Sequence, residues 1–330
     1  MDKYVPPFSI SNKMLEYVSN IVEKITKLDN YKSLDRMPVL RRNNKIHSIH
    51  ASLAIEANSL SFNQVKDVIN GKLVLGPQKE IQDVKNAYNA YELIGKFNPY
   101  SQIDLKKAHG IMTYLTVDES GEYRKGPEGV FDGDVCIFVA PPPEMVYGLM
   151  DDLFNWIEEN KKVVHPLILS SIFHYEFVFI HPFKDGNGRM ARLWQNVLLS
   201  KWKSTFEYIP IESQIKKYQE DYYKSISACH INGNCNVFIE FMLKMIDEVL
   251  DELLESSANE VRHISDYVTK LLNVMDEGVL MSANEIMGKL GIKSKETLRA
   301  NYLNPAIENG LVKLTMPDKP TSKNQRYYKV

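Results

Sequence analysis

Residues 181–192 read HPFKDGNGRMAR, and this stretch holds most of the chemistry that can be expected of the chain. Gly186 and Gly188 tolerate backbone angles that are closed to other residues, and they let the chain approach a ligand closely. The run RMARLWQNVLLSKW that follows predicts a buried helix, whose first turn offers unpaired N–H groups and the positive end of the helix dipole. A glycine-rich turn that enters a helix in this way is suited to binding a phosphate.

The charged side chains of the same stretch also suit an anionic ligand. Arg189 and Arg192 are three residues apart on the predicted helix, so both guanidinium groups can turn toward one anion. Asp185 can ligate a magnesium ion between phosphate oxygens, and His181 can act as a general base near neutral pH. A lone G-x-G before a helix is more often an ordinary tight turn, so the interpretation depends on the complete string.

The complete string resembles the signature of the Fic family, H-P-F-x-[D/E]-G-N-G-R-x-x-R, at every specified position. The preceding residues FHYEFVFI also resemble the family, and the similarity covers roughly residues 45–254. The resemblance implies transfer of AMP from ATP to a Tyr, Thr or Ser hydroxyl of a target protein, with release of pyrophosphate. It also implies Mg²⁺ as the cofactor, and self-modification is a further expectation. Some members use other phosphate donors, so the identity of the nucleotide rests on the resemblance alone.

The resemblance also implies a role for individual residues. His181 would deprotonate the attacking hydroxyl, and Asp185 would hold the Mg²⁺. The phosphates would be bound by Gly186, Asn187, Gly188, Arg189 and Arg192. Tyr223 corresponds to a family tyrosine near the adenine. The flap hairpin, which lines up the target segment by strand addition, would fall at Cys136, Ile137, Phe138 and Val139.

A second string, residues 52–58 (SLAIEAN), resembles the family's inhibitory helix motif [S/T]-x-x-x-E-[G/N], which begins here at Ser52. The resemblance implies that Glu56 pairs with Arg192 and occupies the guanidinium that the γ-phosphate needs, so that ATP binds unproductively. The sequence departs from the motif at Ala57, where Gly or Asn is usual. An alternative for the same site is the reverse chemistry, in which Glu56 positions a water that removes AMP from a modified protein.

Length and composition exclude several classes of protein. The 330 residues suggest about two domains, and 44% hydrophobic with 25% charged residues is typical of a globular chain rather than a disordered or collagen-like one. No apolar run is long enough to span a bilayer, and the N-terminus lacks a secretory signal, so we expect a soluble cytoplasmic protein without a membrane partner. Three cysteines without C-x-x-C spacing indicate neither a disulfide framework nor a zinc site.

Helical periodicity dominates the chain, so we expect a mainly α fold: a Fic-type helical core with a short β-hairpin flap, plus a C-terminal winged-helix domain. The hairpin is predicted between residues 121 and 143, and ESSANE at 255–260 is predicted to be a linker. The expected parts are an N-terminal helical region with the inhibitory motif at 1–110, the catalytic core at 111–255 and the winged-helix-like module at 256–330.

The same periodicity predicts individual helices. Two of them span 166–179 and 213–228, and Ser282 with Glu285 is a possible capping box at the start of another. His174 lies on the apolar helix at 166–179, so we expect it to be a hydrogen-bonded packing residue rather than a ligand.

The C-terminal module suggests a second class of function. Its predicted order of helices and two β-prone runs, 311–315 and 326–330, resembles a winged helix, although Pro305 is predicted to bend or end its third helix. Residues 289–330 hold nine basic against three acidic side chains, a net +6, whereas the whole chain has a net charge of −2. One alternative is a DNA-binding transcriptional regulator with subordinate catalysis. The other is a module for protein contact, including formation of a homodimer.

Overall fold

The computed structural model describes residues 4–30, 38–132, 135–263, 266–308, 310–320 and 322–330. These residues are mainly helical and form two short antiparallel ribbons, so the predicted fold class is confirmed. The chain divides into two compact units, Met1–Glu23 with Asn44–Leu250 and Lys24–Asn43 with Asp251–Val330. The three-part division at residues 110 and 255 stays a prediction. No helix in the described ranges has both the length and the apolar character needed to cross a membrane.

The first unit is a helical bundle, and three of its helices (α1, α2 and α11) continue beyond its bounds. Its helices are α1 Asn12–Asn30, α2 Pro38–Ile55, α3 Phe62–Ile69, α4 Gln78–Tyr91, α5 Gln102–Met112, α6 Val146–Asn160, α7 Pro166–Ile180, α8 Asn187–Trp202, α9 Ile211–Lys217, α10 Gln219–Asn232 and α11 Asn236–His263. Short 3₁₀ turns lie at Ile94–Lys96, Pro143–Met145 and Ser204–Tyr208.

The core of this unit is built around α7 and α8, which are buried on nearly every side. The α7 sequence PLILSSIFHYEFVFI is apolar all round rather than along one stripe, which is typical of a helix at the centre of a bundle. Phe173, Phe177 and Trp194 are fully buried between these helices and their neighbours. The candidate site lies in the connection between the two central helices, so both of its ends are held by the core.

The connection between α7 and α8 is set by two residues with positive φ. His181 ends α7 in the left-handed conformation with φ 52°, and Pro182 cannot continue the helix because it lacks an N–H group. Gly186, with φ 82°, then precedes the first turn of α8. The backbone therefore reverses within five residues and brings the end of one helix to the beginning of the next.

The predicted hairpin is present as β1 Gly129–Asp132 and β2 Val135–Val139, which pair antiparallel. Gly129 pairs with Val139, and the register shifts after Val130. The Ala140 N–H donates to the Glu128 carbonyl and closes the base of the hairpin. The side chains at 130–137 lie outside the described residues, so the predicted docking side chains of Cys136 and Ile137 fall there.

Several predicted boundaries were wrong, each for a local reason. The helix α3 was missed because it is short, although S-x-x-Q at Ser61 and Gln64 forms a capping box that signals its start. The segment predicted as one helix at 213–228 is two, with a break at Tyr218. The predicted linker at 255–260 lies within α11, because ESSANE contains no Gly or Pro that would end a helix.

The second unit has the predicted order of helices followed by a ribbon. Its elements are α12 Asp266–Val274, α13 Ala283–Leu290, α14 Lys295–Thr297, a π-helical turn at Leu298–Leu303, α15 Asn304–Glu308, β3 Val312–Leu314 and β4 Tyr327–Lys329. Ser282 and Glu285 form the predicted capping box of α13. Pro305 was predicted to bend or end the third helix, and it does not end it: a π-helical turn, in which the Asn304 N–H donates to the Arg299 carbonyl, precedes Pro305, and the chain stays helical through Glu308.

Candidate functional site

The imidazole of His181 is oriented so that one nitrogen remains free to accept a proton. Nδ1 lies 3.3 Å from the carbonyl of Val178 and can only donate there, so the neutral ring carries its lone pair on Nε2. Burial lowers the pKa of His181 most, and the hydrogen bond to Val178 raises it. The charge of Arg124 lowers the pKa further, whereas Glu56 and Asp185 raise it. A neutral imidazole with an accepting Nε2 is the form that a general base requires.

The loop after His181 is held by side chains that bond to its main chain. Asn187 accepts from the Phe183 N–H at 2.9 Å and donates to the Phe183 carbonyl at 2.7 Å, so its amide braces the turn. The φ of 82° at Gly186 favours glycine, and a Cβ there would crowd the methyl group of Thr113. These contacts hold the loop in one conformation where it leads to the N–H groups in the first turn of α8.

His109, on α5, is a site residue that the sequence analysis missed. Its Nδ1 accepts from the Gly121 N–H at 2.9 Å, so Nε2 carries the proton and donates to the Asp185 carbonyl at 3.0 Å. The ring stacks on Phe183 with centroids 3.7 Å apart and an angle of 3°. Burial lowers the pKa of His109 to about 4, which keeps the ring neutral. The His109 imidazole thus holds the backbone of Asp185, the residue expected to bind the metal.

Arg192 and the predicted inhibitory residues lie together. The Arg192 side chain is 1% exposed and donates to the Ser52 hydroxyl at 3.1 Å, the Ser52 carbonyl at 3.0 Å and Glu56 Oε1 at 2.7 Å. The carboxylate makes one hydrogen bond rather than the two expected of a bidentate pair. A Cβ at Gly188 would collide with this carboxylate, so Glu56 lies directly against the loop. The end of α2 therefore occupies the guanidinium that was expected to bind phosphate.

Arg189 is buried between two carboxylates. It donates to Asp83 Oδ1 at 3.1 Å and to Asp185 Oδ1 at 3.2 Å, and its side chain is only 6% exposed. Asp83 lies on α4, and no sequence pattern marks it, because an acidic residue on an amphipathic helix usually faces solvent. Asp83 is therefore a second anchor for Arg189 that does not depend on Asp185.

Asp185 is the residue of this site that fits a magnesium ion. Its Oδ1 accepts from Arg189 and from the Gly186 N–H, and no described residue bonds to its Oδ2. No cluster of three or more His, Cys, Asp or Glu side chains in the described ranges could hold a metal by itself. Magnesium commonly uses one or two carboxylates and completes its shell with substrate phosphates and water. The donor set therefore fits an ion that binds together with a nucleotide.

The remaining predicted residues lie around this centre. Tyr223 is 46% exposed and is close enough to Glu56 and Arg192 for their charges to act on its hydroxyl. Phe138 of the hairpin stacks on His230 with centroids 4.6 Å apart, and Val139 is 75% exposed. His174 has the structural role that its apolar helix suggested, since it bonds to Gln195 and Tyr222 inside the core.

Comparisons with known proteins support the same assignment of family. A family model described as "Fic/DOC family" matches residues 99–199, and one described as "Filamentation induced by cAMP protein Fic-like, C-terminal domain" matches residues 266–328. "Protein adenylyltransferase Fic" of Nematostella vectensis is 27% identical over 219 residues, which cover 63% of this chain and 48% of that protein. "Protein adenylyltransferase fic-1" of Caenorhabditis elegans is 26% identical over 281 residues, covering 82% and 50%. The chain thus spans about half the length of the curated relatives it matches.

Solved structures extend the similarity to the whole chain. The crystal structure of a Fic family protein from Desulfovibrio desulfuricans G20 is 41% identical, with a TM-score of 0.75, and the match covers 99% of this chain and 98% of that one. Fic-1 (residues 134–508) from C. elegans shares the fold at 21% identity, with a TM-score of 0.62 and coverage of 75% and 72%. With 41% identity over nearly its full length and the complete signature in place, this chain belongs to the Fic family.

Proposed function

We propose that this protein is an adenylyltransferase that transfers AMP from ATP to a Tyr, Thr or Ser hydroxyl of a target protein. We propose further that Glu56 inhibits the transfer by occupying Arg192. The observation that carries the proposal is the contact of 2.7 Å between Glu56 Oε1 and Arg192 Nη2 beside the HPFKDGNGRMAR loop. The names of the relatives support AMP transfer, and the contact supports its inhibition.

The chemistry would proceed by in-line displacement at the α-phosphorus. His181 Nε2 takes the proton of the target hydroxyl as its oxygen attacks, and the bond from the α-phosphorus to the bridging oxygen breaks to release pyrophosphate. The N–H groups at the start of α8 and the guanidinium groups of Arg189 and Arg192 stabilise charge on the phosphates. Asp185 would hold Mg²⁺, which supplies further neutralisation of phosphate charge when it is bound.

Inhibition would follow from charge and space together. Glu56 accepts one N–H group of the buried Arg192 guanidinium, and Ser52 accepts two more. A phosphate that approached Arg192 would meet the negative charge of this carboxylate and would find it lying against Gly188. The γ-phosphate would therefore bind elsewhere, and the α-phosphate would not be aligned for attack.

The first experiment is incorporation of α-labelled ATP into protein with Mg²⁺, with the protein itself and a cell lysate as acceptors. Wild type, Glu56→Gly and His181→Ala are compared, with Glu56→Gln as the matched variant that keeps the shape and removes the charge. We expect labelling to rise about tenfold or more in Glu56→Gly, because removal of an inhibitory contact worth about 1.4 kcal/mol changes the rate tenfold. Labelling should rise less in Glu56→Gln and should vanish in His181→Ala.

Each part of the proposal has a result that would contradict it. Unchanged labelling in folded Glu56→Gly would remove the inhibitory role, and retained labelling in His181→Ala would remove the role as base. Labelled protein is also returned to wild type, because release of AMP there would assign the reverse reaction to the same site. No labelling in any folded variant would reject AMP transfer and direct attention to other phosphate donors.

A second candidate function, DNA binding, is favoured by a cleft in the second unit. The cleft has a volume of about 310 Å³ and is lined by Lys295 and Arg299 of the third helix and by Lys323 of the loop before β4. Three cations around one opening suit a phosphate backbone. Binding of the full chain to mixed duplexes in a salt series tests this, with Lys295→Glu against Lys313→Glu on β3 as the control. Binding that does not depend on salt would reject it.

A further inference from the structure

Arg124 is a buried cation whose partners are all main-chain carbonyls. The residue is 2% exposed, and its Nε donates to the His181 carbonyl at 2.7 Å and its Nη1 to the Gly126 carbonyl at 2.9 Å. Its Nη2 donates to the carbonyls of Pro141 and, at 3.4 Å, Ile180. Among the described carboxylates, none lies within ion-pair distance of this guanidinium. Burial of an arginine here costs desolvation free energy that no salt bridge offsets.

The surroundings explain how the charge is tolerated. Ile180 and His181 are the last carbonyls of α7, where the negative end of the helix dipole favours a cation. The fixed fork of the guanidinium places its donors on several acceptors at once, which the single amine of a lysine cannot do. The position therefore uses a property that is particular to arginine.

These bonds join the catalytic base to the flap. Gly126 precedes β1 and Pro141 follows β2, so one guanidinium holds both ends of the hairpin. The backbone N–H of Arg124 also donates to the Pro182 carbonyl at 2.9 Å, so the chain is held on both sides of the strained, left-handed His181. The flap and the imidazole thus share a single anchor.

We propose that Arg124 is a positioning residue for AMP transfer, which holds the imidazole of His181 and the target-docking flap in one fixed frame. This inference rests on the proposed function for the roles of His181 and the flap. A target hydroxyl presented by the flap must arrive within hydrogen-bond distance of Nε2, and displacement by about 1 Å is enough to lower a rate by about a hundredfold.

The charge of Arg124 has a separate effect on the base. The charged groups that face the imidazole are Arg124, Glu56 from α2 and Asp185 from the loop after α7. Burial lowers the pKa of His181 most, and the hydrogen bond to the Val178 carbonyl raises it. Arg124 lowers the pKa further, and the two carboxylates oppose this. A substitution that removes the charge of Arg124 therefore raises the pKa of His181. A lysine, which keeps the charge but lacks the forked guanidinium, leaves the pKa of His181 lowered.

The test compares Arg124→Lys and Arg124→Met in the full chain, with Lys125→Met as the matched control. Lys125 is adjacent and exposed, and it pairs with Glu122 at the surface. The first readout is NMR titration of the His181 imidazole, assigned by its loss in His181→Ala, which needs no activity. We expect the pKa to rise in Arg124→Met and to stay lowered in Arg124→Lys and in Lys125→Met.

The second readout is amide hydrogen exchange across residues 126–141, and the third is AMP labelling in the Glu56→Gly background. We expect faster exchange in the flap of both Arg124 variants and a loss of labelling of about tenfold or more in Arg124→Lys, with Lys125→Met unchanged. In Arg124→Met the acidic limb of the pH–rate profile should also move to higher pH. If Met does not fold, Arg124→Lys still decides the positioning role.

Two failures can be told apart. Absence of labelling in the Glu56→Gly parent would reject the proposed function, while titration and exchange would still report on Arg124. Flap exchange and labelling in Arg124→Lys equal to those of Lys125→Met would overturn the positioning role. An unshifted His181 pKa in folded Arg124→Met would overturn the separate effect of the charge on the base.

Discussion

Ala57, at the residue scale, is a non-glycine residue in a position that favours glycine. It follows α2 with φ 62°, the Asn58 N–H bonds to the Leu53 carbonyl at 3.1 Å, and the Ala57 N–H bonds to the Ala54 carbonyl at 3.3 Å. This pair of bonds is the Schellman arrangement, in which the left-handed residue is usually glycine. The departure of the sequence from the inhibitory motif at Ala57 therefore leaves strain immediately after Glu56.

We predict that Ala57→Gly strengthens the inhibition. Relief of about 1–2 kcal/mol of left-handed strain, partly offset by about 0.5–1 kcal/mol for the greater freedom of glycine in the unfolded chain, leaves a gain of about 0.5–1 kcal/mol. Basal labelling should fall about two- to fivefold and the melting temperature should rise by about 1–3 °C. The same change in the Glu56→Gly background should leave labelling unaltered, and an equal fall there would place the effect outside the inhibitory contact.

Residues within a continuous motif could be predicted from the sequence, and residues that reach the site from elsewhere could not. His181, Asp185 and Arg192 lie in one string, and Glu56 lies against Arg192 in the structure as the family resemblance implied. Asp83 and His109 come from other helices, and their contacts depend on how α4 and α5 pack. No local pattern marks such residues, because an Asp or a His on an amphipathic helix is ordinary.

At the element scale, the end of α2 is held by more than the Glu56 contact. The exposed amine of Lys216 donates to the Ala54 carbonyl at 2.9 Å, and the amide of Gln219 donates to the Ile55 carbonyl at 3.3 Å. These carbonyls belong to the last turn of α2, where a cation also meets the negative end of the helix dipole. The end of α9 and the start of α10 thus hold the end of α2, the proposed inhibitory helix, from outside the site.

We predict that Lys216→Met raises basal labelling about two- to fivefold. Removal of a cation from a helix C-terminus costs about 0.3–1 kcal/mol, and this loss falls on the inhibited form. Lys217→Met is the matched control, because Lys217 is the next residue and its amine lies over the ring of Tyr218, 5.5 Å from its centroid. The measurement is the ratio of labelling rates between the two variants. A ratio near one would show that the contact of Lys216 with the end of α2 does not affect inhibition.

Helices were predicted best where their sequence changed character at both ends. The α7 run begins after His165 with Pro166 and ends before Pro182, and both ends were predicted within one residue. The end of α11 was not predicted, because the linker at 255–260 rested on composition alone and no residue there breaks a helix. The hairpin followed from its alternation of Gly, Pro and Asp with apolar residues.

At the scale of the whole molecule, buried titratable groups set how the first unit responds to pH. Burial lowers the pKa of His109 to about 4 and of His174 to about 3, and it raises the pKa of Glu176 to about 7. The histidines take up protons more readily in the unfolded chain, so their contribution to stability is complete above about pH 6.5 and is lost as the pH falls toward those values. Glu176 holds its proton more tightly when folded, so its contribution is complete below about pH 4.5 and is lost as the pH rises through 7.

We therefore predict that the stability of the first unit rises from pH 5 to about pH 7 and levels off above it, since each fully offset group changes the free energy of unfolding by about 1.4 kcal/mol per pH unit. Two buried histidines outweigh the single carboxyl on the acidic side, and near pH 7 the histidines of the unfolded chain and Glu176 of the folded one both finish losing their protons. All three tryptophans, Trp156, Trp194 and Trp202, lie in this unit, so urea unfolding followed by their fluorescence from pH 5 to 8 isolates it. Glu176→Gln keeps the hydrogen-bonding shape without the titration, so its stability should rise more steeply than that of wild type between pH 5 and 7. Equal slopes for the two proteins across that interval would show that Glu176 ionises in the folded protein without cost, as a solvated carboxylate does.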